Sequence, residues 1–511
     1  MTAGGNINLH ARVAGVLLHP TSLPGPHGNG DLGRPALDFA RFLSAAGQRY
    51  WQMLPVGPSG FGNSPYSSLS AFAGNPLFIS LSSLADDGLL GSHALRGSPR
   101  CPAGAVDYAL AAAFREPLLR EAFLQRDRGQ VAQFAAANGE WLEDYSLYRA
   151  LKRAHREVAF TDWPALLRER DPRALAQARR ELAGEIELVQ FEQWAFARQW
   201  SLLREQCARL GVALVGDLPI FVAHDSADVW AHRELFQLRP DGTAAVVSGV
   251  PPDYFSATGQ RWGNPLYDWP MHAANGYAWW AARMAQTLAR FDLVRLDHFI
   301  GFQRHWEIPG LEKTAEKGRF MPGPGAALFT ALQDRLTSGK PLPLIAEDLG
   351  MVTEEVRALR DRFGFPGIKI LQFAFGTDSQ APLFLPHVYP RECVAYTGTH
   401  DNDTTVGWFH GEGQERDPKQ AARERQSVLA YLGSSGEEIH WEMIREVYRS
   451  VANLVLVPAQ DLLGLGSEAR MNRPGTLAGN WEWRLPEGAL DGRIAQHLAG
   501  LVRTYGRGAL E

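Results

Sequence analysis

Four carboxylates stand at or just beyond the ends of apolar runs: Asp217 in VALVGDLP, Asp297 in LVRLDHF, Glu347 in LPLIAEDLG and Asp401 in VAYTGTHDN. A nucleophile must be ionised and a general acid protonated. Paired acids with these opposite needs are what cleavage of a glycosidic bond requires. Arg295 lies two residues before Asp297, and on a strand such positions share a face. A guanidinium beside a carboxylate favours its ionised form, which suits Asp297 as a nucleophile. Glu347 is followed at once by Asp348. Adjacent strand residues point to opposite faces, so one of this pair faces inward and the other is structural. A carboxyl kept protonated by burial or by a nearby negative charge can act as a general acid. Each acid alone also fits a helix N-cap or a loop. Four of them at successive strand ends argue for one site.

Other chemistries have less support. The acids of GTHDND (398–403) lack the Gly and the terminal Glu of an EF-hand loop. His298 and His400 are metal ligands by type, but no HExxH helix accompanies them. Hydrogen bonding to sugar hydroxyls, or a structural role, suits them better. No GxGxxG follows a strand and there is no Walker motif, so neither a cofactor nor a metal is expected. Lys and Arg number 51 against 56 Asp and Glu, a net charge of −5. That balance gives no general electrostatic grip on nucleic acid or an anionic membrane. Cys101, Cys207 and Cys393 are far apart and outside any CxxC pattern, which predicts a reducing compartment. The N-terminus does not read as a signal peptide, and no apolar run is long enough to span a bilayer. The expected location is cytoplasmic, and the sequence specifies no oligomeric state.

The chain carries 15 Trp, 13 Tyr and 25 Phe. A large core accounts for most of them. Several instead sit in the Gly/Pro/Asn-rich loop GVPPDYFSATGQRWGNPLYDW (249–269). Aromatic faces in loops suit the apolar C–H faces of a pyranose ring.

The elements that must position these residues follow from periodicity. Eight strand-like runs cover 14–20, 49–56, 212–219, 293–299, 342–350, 367–373, 394–402 and 454–463. Their near-continuous Val/Leu/Ile content suits strands buried on both faces of a parallel sheet. Helical patterns fall between most of them. Leu188, Phe191, Ala195 and Leu202 step at helical spacing before the third run, and Gly211 ends that helix. The alternation predicts an α/β fold, an interrupted (β/α)8 TIM barrel, with a doubly wound open sheet as the alternative. Residues about 80–190 read as a helical insertion whose charge-rich 168–182 segment is a solvated face. Residues about 220–275 read as a loop-rich insertion over the cleft. One composite catalytic domain over 1–511 is expected.

The chain resembles the 4-alpha-glucanotransferases (amylomaltases, disproportionating enzymes) of glycoside hydrolase family 77. The resemblance rests on HPTSLPGPHGNGDLG (19–33), SPYSSLSAFAGNP (64–76), GDLPIFVAHDSADVW (216–230), PPDYFSATGQRWGNPLYDW (251–269), RLDHFIGF (295–302), IAEDLG (345–350), GTHDNDT (398–404), ARMNRPGT (469–476) and GNWEWR (479–484). It implies a barrel without a separate C-terminal β-domain. It implies Asp297 as nucleophile, Glu347 as general acid/base and Asp401 as transition-state stabiliser. It also implies substrate contacts from Ser64, Tyr66, Asp217, Asp253, Tyr254, Phe255, Gln260, Trp262, Asn264, Arg295, His298, His400, Asn472 and Pro474. Donor and acceptor would be α-1,4-glucans. Phe61 stands where some relatives carry Tyr, and no secondary glucan contact is carried over to it. An α-glucan hydrolase would use the same carboxylates. A non-catalytic maltodextrin-binding protein would need the aromatic cleft but not the convergent acids.

Overall fold

Apolar residues at nearly every position of the eight runs build a closed ring of parallel strands. The structure is a computed structural model that describes residues 11–91, 93–99, 104–252, 258–412 and 417–508. The strands are β1 (Val13–Leu17), β2 (Tyr50–Gln52), β3 (Ala213–Pro219), β4 (Leu293–Asp297), β5 (Leu344–Ala346), β6 (Gly367–Ile370), β7 (Cys393–Tyr396) and β8 (Leu454–Pro458). Each of the eight runs supplies one of them. β1 pairs with both β2 and β8, which closes the barrel and excludes the open sheet.

Alternation along each strand sorts its side chains. Val215, Leu293, Ile345, Ile368, Val394 and Leu454 fill the barrel interior. Leu214, Val294, Leu344 and Val455 join the larger core beneath the helices. Positions two apart share a face. Asp217 therefore stands above Val215, Arg295 and Asp297 above Leu293, and Glu347 above Ile345. Gly15 lets β1 approach β2, since a Cβ there would lie 2.3 Å from the Tyr50 carbonyl oxygen.

Between β2 and β3 the chain is mostly helical and ends in the long helix Ala183–Arg209. Leu210 and Gly211 close that helix, Gly211 at φ 70°. Leu202 departs from the expected face and is exposed. The buried stripe turns onto Gln199, Trp200, Leu203 and Cys207, because this end packs on helix Arg34–Ala45 and on β3. In the 168–182 segment only Leu175 and Ala178 of helix Pro172–Glu181 are buried, so that face is solvated.

The described residues of the 220–275 segment hold more regular structure than their composition suggests. Its strands Val246–Val250 and Gln260–Pro265 pair antiparallel, and Arg304–Pro309 and Arg319–Pro322 extend the sheet to four strands. Half of this sheet therefore comes from the connection between β4 and β5. Among the described residues, no helix is long and apolar enough to cross a membrane.

Candidate active site

The acids converge because the strand ends do. Asp217 on β3 sits opposite Arg295 on β4, and Pro219 sits opposite Asp297. Arg295 Nη1 reaches the two Asp217 oxygens at 2.9 and 2.8 Å, and Asp297 Oδ1 at 2.9 Å. The Asp217 side chain has no exposed surface, whereas that of Asp297 is 28% exposed. Asp217 therefore lies deeper than Asp297, beside Tyr66. It anchors Arg295 and Tyr66, and breaking such a buried pair costs about 3–5 kcal/mol. Asp297 is the partner that the cleft can reach.

Glu347 follows β5, and two backbone donors aim its carboxyl. The His298 N–H donates to Oε2 at 2.7 Å and the Leu349 N–H to Oε1 at 3.0 Å. Burial raises its pKa to about 8; Arg295 and the two N–H donors pull the other way, while the Asp297 charge raises it further. Its neighbour Asp348 turns outward onto Arg360 Nη1 at 2.5 Å and the Ile368 N–H at 2.9 Å. Glu347 is thus the inward member of the pair and Asp348 the structural one.

His298 adopts φ 53°, a left-handed conformation that costs a non-glycine residue roughly 1–3 kcal/mol. This is the conformation in which its N–H reaches Glu347. Burial lowers the imidazole pKa to about 4. The neutral ring meets Trp262 edge to face, with centroids 4.8 Å apart.

Asp401 completes the group from the loop after β7. Its Oδ1 accepts from Asn472 Nδ2 at 2.6 Å and its Oδ2 lies 3.3 Å from His400 Nε2. The same Nε2 is 2.8 Å from Tyr66 Oη, which is 2.8 Å from Asp217 Oδ2. Burial and the Asp217 charge keep Tyr66 protonated. Its one proton goes to the Asp217 carboxylate, so Oη accepts from His400 and the imidazole proton resides on Nε2. A continuous chain of contacts then runs from Asp401 through His400, Tyr66, Asp217 and Arg295 to Asp297.

The remaining expected contacts divide. Trp262 is 39% exposed, and its Nε1 donates to Gln260 Oε1 at 3.2 Å, so both lie on the strand beside His298. Ser64 Oγ accepts from the Tyr66 N–H and shapes the turn into that residue. Asn264 is half-buried and braces the segment. Its amide donates to the Val222 carbonyl at 2.9 Å and its oxygen faces Ser248 Oγ at 3.4 Å. Pro474 is exposed in a loop closed at its neck by Asn480, which accepts from the Arg473 N–H at 2.8 Å. Asp253, Tyr254 and Phe255 lie outside the described residues. Among the described residues, no three His, Cys, Asp or Glu side chains group as metal ligands.

A family model described as 4-alpha-glucanotransferase, glycoside hydrolase family 77, matches residues 18–490. The chain belongs to this family. The 4-alpha-glucanotransferase of Thermus thermophilus is 49% identical over 97% of this chain and 99% of its own. That of Synechocystis is 48% identical over 98% of this chain and 99% of its own. Among solved structures, the amylomaltase from Streptococcus agalactiae in complex with acarbose superposes with a TM-score of 0.92. It is 35% identical, covering 97% of this chain and 100% of that one. Membership makes this chain a transferase acting on α-glucans.

Sequence reasoning gave no role to Trp481, which lies inside GNWEWR. Held at φ 67°, it packs with Leu17, Leu54 and Met471 and brings its ring to 5.8 Å from Tyr66 and 6.0 Å from His400. A non-glycine residue with positive φ cannot be recognised from residue type. The density of aromatics around the motif was the available signal.

Proposed function

We propose that this family member transfers a segment of an α-1,4-glucan to the 4-hydroxyl of an acceptor glucan or glucose, by double displacement with retention. The observation that carries the reading is the unlike setting of two neighbouring acids. Asp297 is paired with Arg295 and open to the cleft. Glu347 is buried and protonated up to about pH 8.

Glu347 protonates the leaving oxygen while Asp297 attacks the anomeric carbon. A β-linked glucosyl ester forms on Asp297, and this consumes the negative charge that helped to raise Glu347. Glu347, now ionised, takes the proton from the incoming 4-hydroxyl, which displaces Asp297. Asp401, aimed by Asn472 and His400, faces the positive charge that develops at the anomeric centre. Tyr66 and His298 flank that sugar. Trp262 and Gln260 wall the cleft beside His298, and Asn472 and Pro474 seat the acceptor. Transfer wins over hydrolysis because a bound acceptor is positioned for attack and water is excluded.

Product analysis tests the reading. With maltotriose, glucose and a ladder of longer maltooligosaccharides should form at a constant number of reducing ends. Each bond broken is replaced by one made. Reducing ends that rise steadily without longer products would make the chain a hydrolase.

Two further expectations come from the geometry. Ionised Glu347 cannot donate a proton, so kcat/KM for maltotriose should fall as pH rises through about 8. A profile level across that pH would contradict Glu347 as the acid. Tyr66→Phe keeps the ring but cuts the link between Asp217 and His400. A hydrogen bond to a charged group is worth about 1.5–3 kcal/mol, so kcat/KM should fall roughly 10-fold or more. Unchanged turnover in steady-state kinetics would mean that the link contributes nothing to the transition state.

A further inference from the structure

Asp461 is a buried acid that the mechanism does not use. It lies in the short helix Ala459–Leu462 after β8 and is 1% exposed. No Lys, Arg or His pairs with it among the described residues; its hydrogen-bond donors are neutral. Its Oδ2 accepts from Thr397 Oγ1 at 2.6 Å and from Thr405 Oγ1 at 2.8 Å, and its Oδ1 accepts from the Thr405 N–H at 2.7 Å. Thr397 is the first residue past β7, and Thr405 opens the helix Thr405–His410. One carboxylate therefore ties together the two ends of the loop that carries His400 and Asp401. Burial raises its pKa, so this carboxylate is held at a cost that only its hydrogen bonds offset.

We propose that Asp461 is a positioning residue. By pinning Thr397 to Thr405 it sets where His400 and Asp401 stand at the barrel mouth, and it acts through hydrogen-bond geometry rather than charge. The inference rests on the role given above to Asp401. An asparagine can reproduce the pattern, because threonine hydroxyls rotate. The amide oxygen takes the Thr405 N–H, and the amide nitrogen donates to both hydroxyls. An alanine leaves all three donors without a partner.

The test compares Asp461→Ala, Asp461→Asn, Thr397→Val and Asp401→Asn on maltotriose, with kcat and KM resolved and folding checked by circular dichroism. Misplacement of about 1 Å at a reacting centre can cost 10²-fold. Asp461→Ala should lower kcat about 10²-fold while KM changes less than about 3-fold. Asp461→Asn should restore kcat to within about 5-fold of the parent, and the alkaline limb assigned to Glu347 should stay in place. Thr397→Val is nearly isosteric and removes one of the three bonds. It should lower kcat roughly 10-fold on its own and add nothing on the Asp461→Ala background. If Asp461→Ala does not fold, the kcat-selective loss in Thr397→Val carries the test. Unchanged kcat in either folded variant overturns the proposal, as does an equal loss in Asp461→Asn and Asp461→Ala. Asp401→Asn separates the two levels. If it is inactive while Asp461→Ala turns over normally, only this inference fails; if it is active, the role of Asp401 itself fails.

Discussion

Asp297→Asn is expected to lower transfer by roughly 10⁴-fold or more while the protein stays folded. The amide has the shape of the carboxylate but is too weak a nucleophile to form the glucosyl ester. Little of the fold depends on its charge. The side chain stands at the mouth, 28% exposed, and Arg295 keeps its buried partner Asp217. Thermal denaturation should therefore give a Tm near that of the parent. This sets Asp297 apart from Asp217, whose removal leaves a guanidinium buried without its principal counter-charge. Near-normal transfer by a folded Asp297→Asn variant would remove the nucleophile from the mechanism.

Glu347→Gln is the second large effect, and it should depend on the donor. With maltodextrins the leaving group needs a proton, and loss of a general acid costs roughly 10²–10⁴-fold. With α-glucosyl fluoride the leaving group departs with little protonic help, so the first step should be largely spared. The second step still lacks its base, and the glucosyl ester should accumulate. The substitution also places the amide NH2 against one of the two N–H groups, of His298 and Leu349, that now donate to the carboxyl oxygens, while the amide oxygen keeps the other. A small loss of stability should accompany it, and the fall in kcat/KM near pH 8 should disappear. Equal losses with both donors, with ester formation shown to limit turnover, would count against Glu347 as the acid.

The barrel was legible because its strands are buried on both faces. Runs such as LVLVPAQDLL (454–463) open on a continuous apolar stretch with no polar alternation to confuse with an exposed strand, and the polar ends of the runs mark one mouth. The inward Arg295 and Asp297 follow from a period of two. Orientation at the ends was less legible. Asp217 and Asp297 look alike in sequence, yet one is sealed under Tyr66 and the other opens to the cleft. That difference is tertiary. Asn264 lies in a stretch rich in sugar-binding residue types, and only the fold reveals that it is on a strand and that its amide donates to the Val222 carbonyl. The four-stranded sheet was hidden for two reasons. Gly249, Gly263 and Pro265 weaken the strand pattern, and the partner strands arrive from beyond β4. Leu202 illustrates a third cause. A helix with different neighbours at its two ends turns its buried face along its length, and a fixed period cannot follow that turn.

The most direct test of the account is to locate the sugar on the enzyme. Glu347→Gln protein incubated with α-glucosyl fluoride, quenched in acid, digested and examined by mass spectrometry should carry one hexosyl group on the peptide containing Asp297. Fragmentation should place it on that side chain. Release of fluoride with no hexosyl adduct, or an adduct on Asp401 in place of Asp297, would contradict double displacement through Asp297.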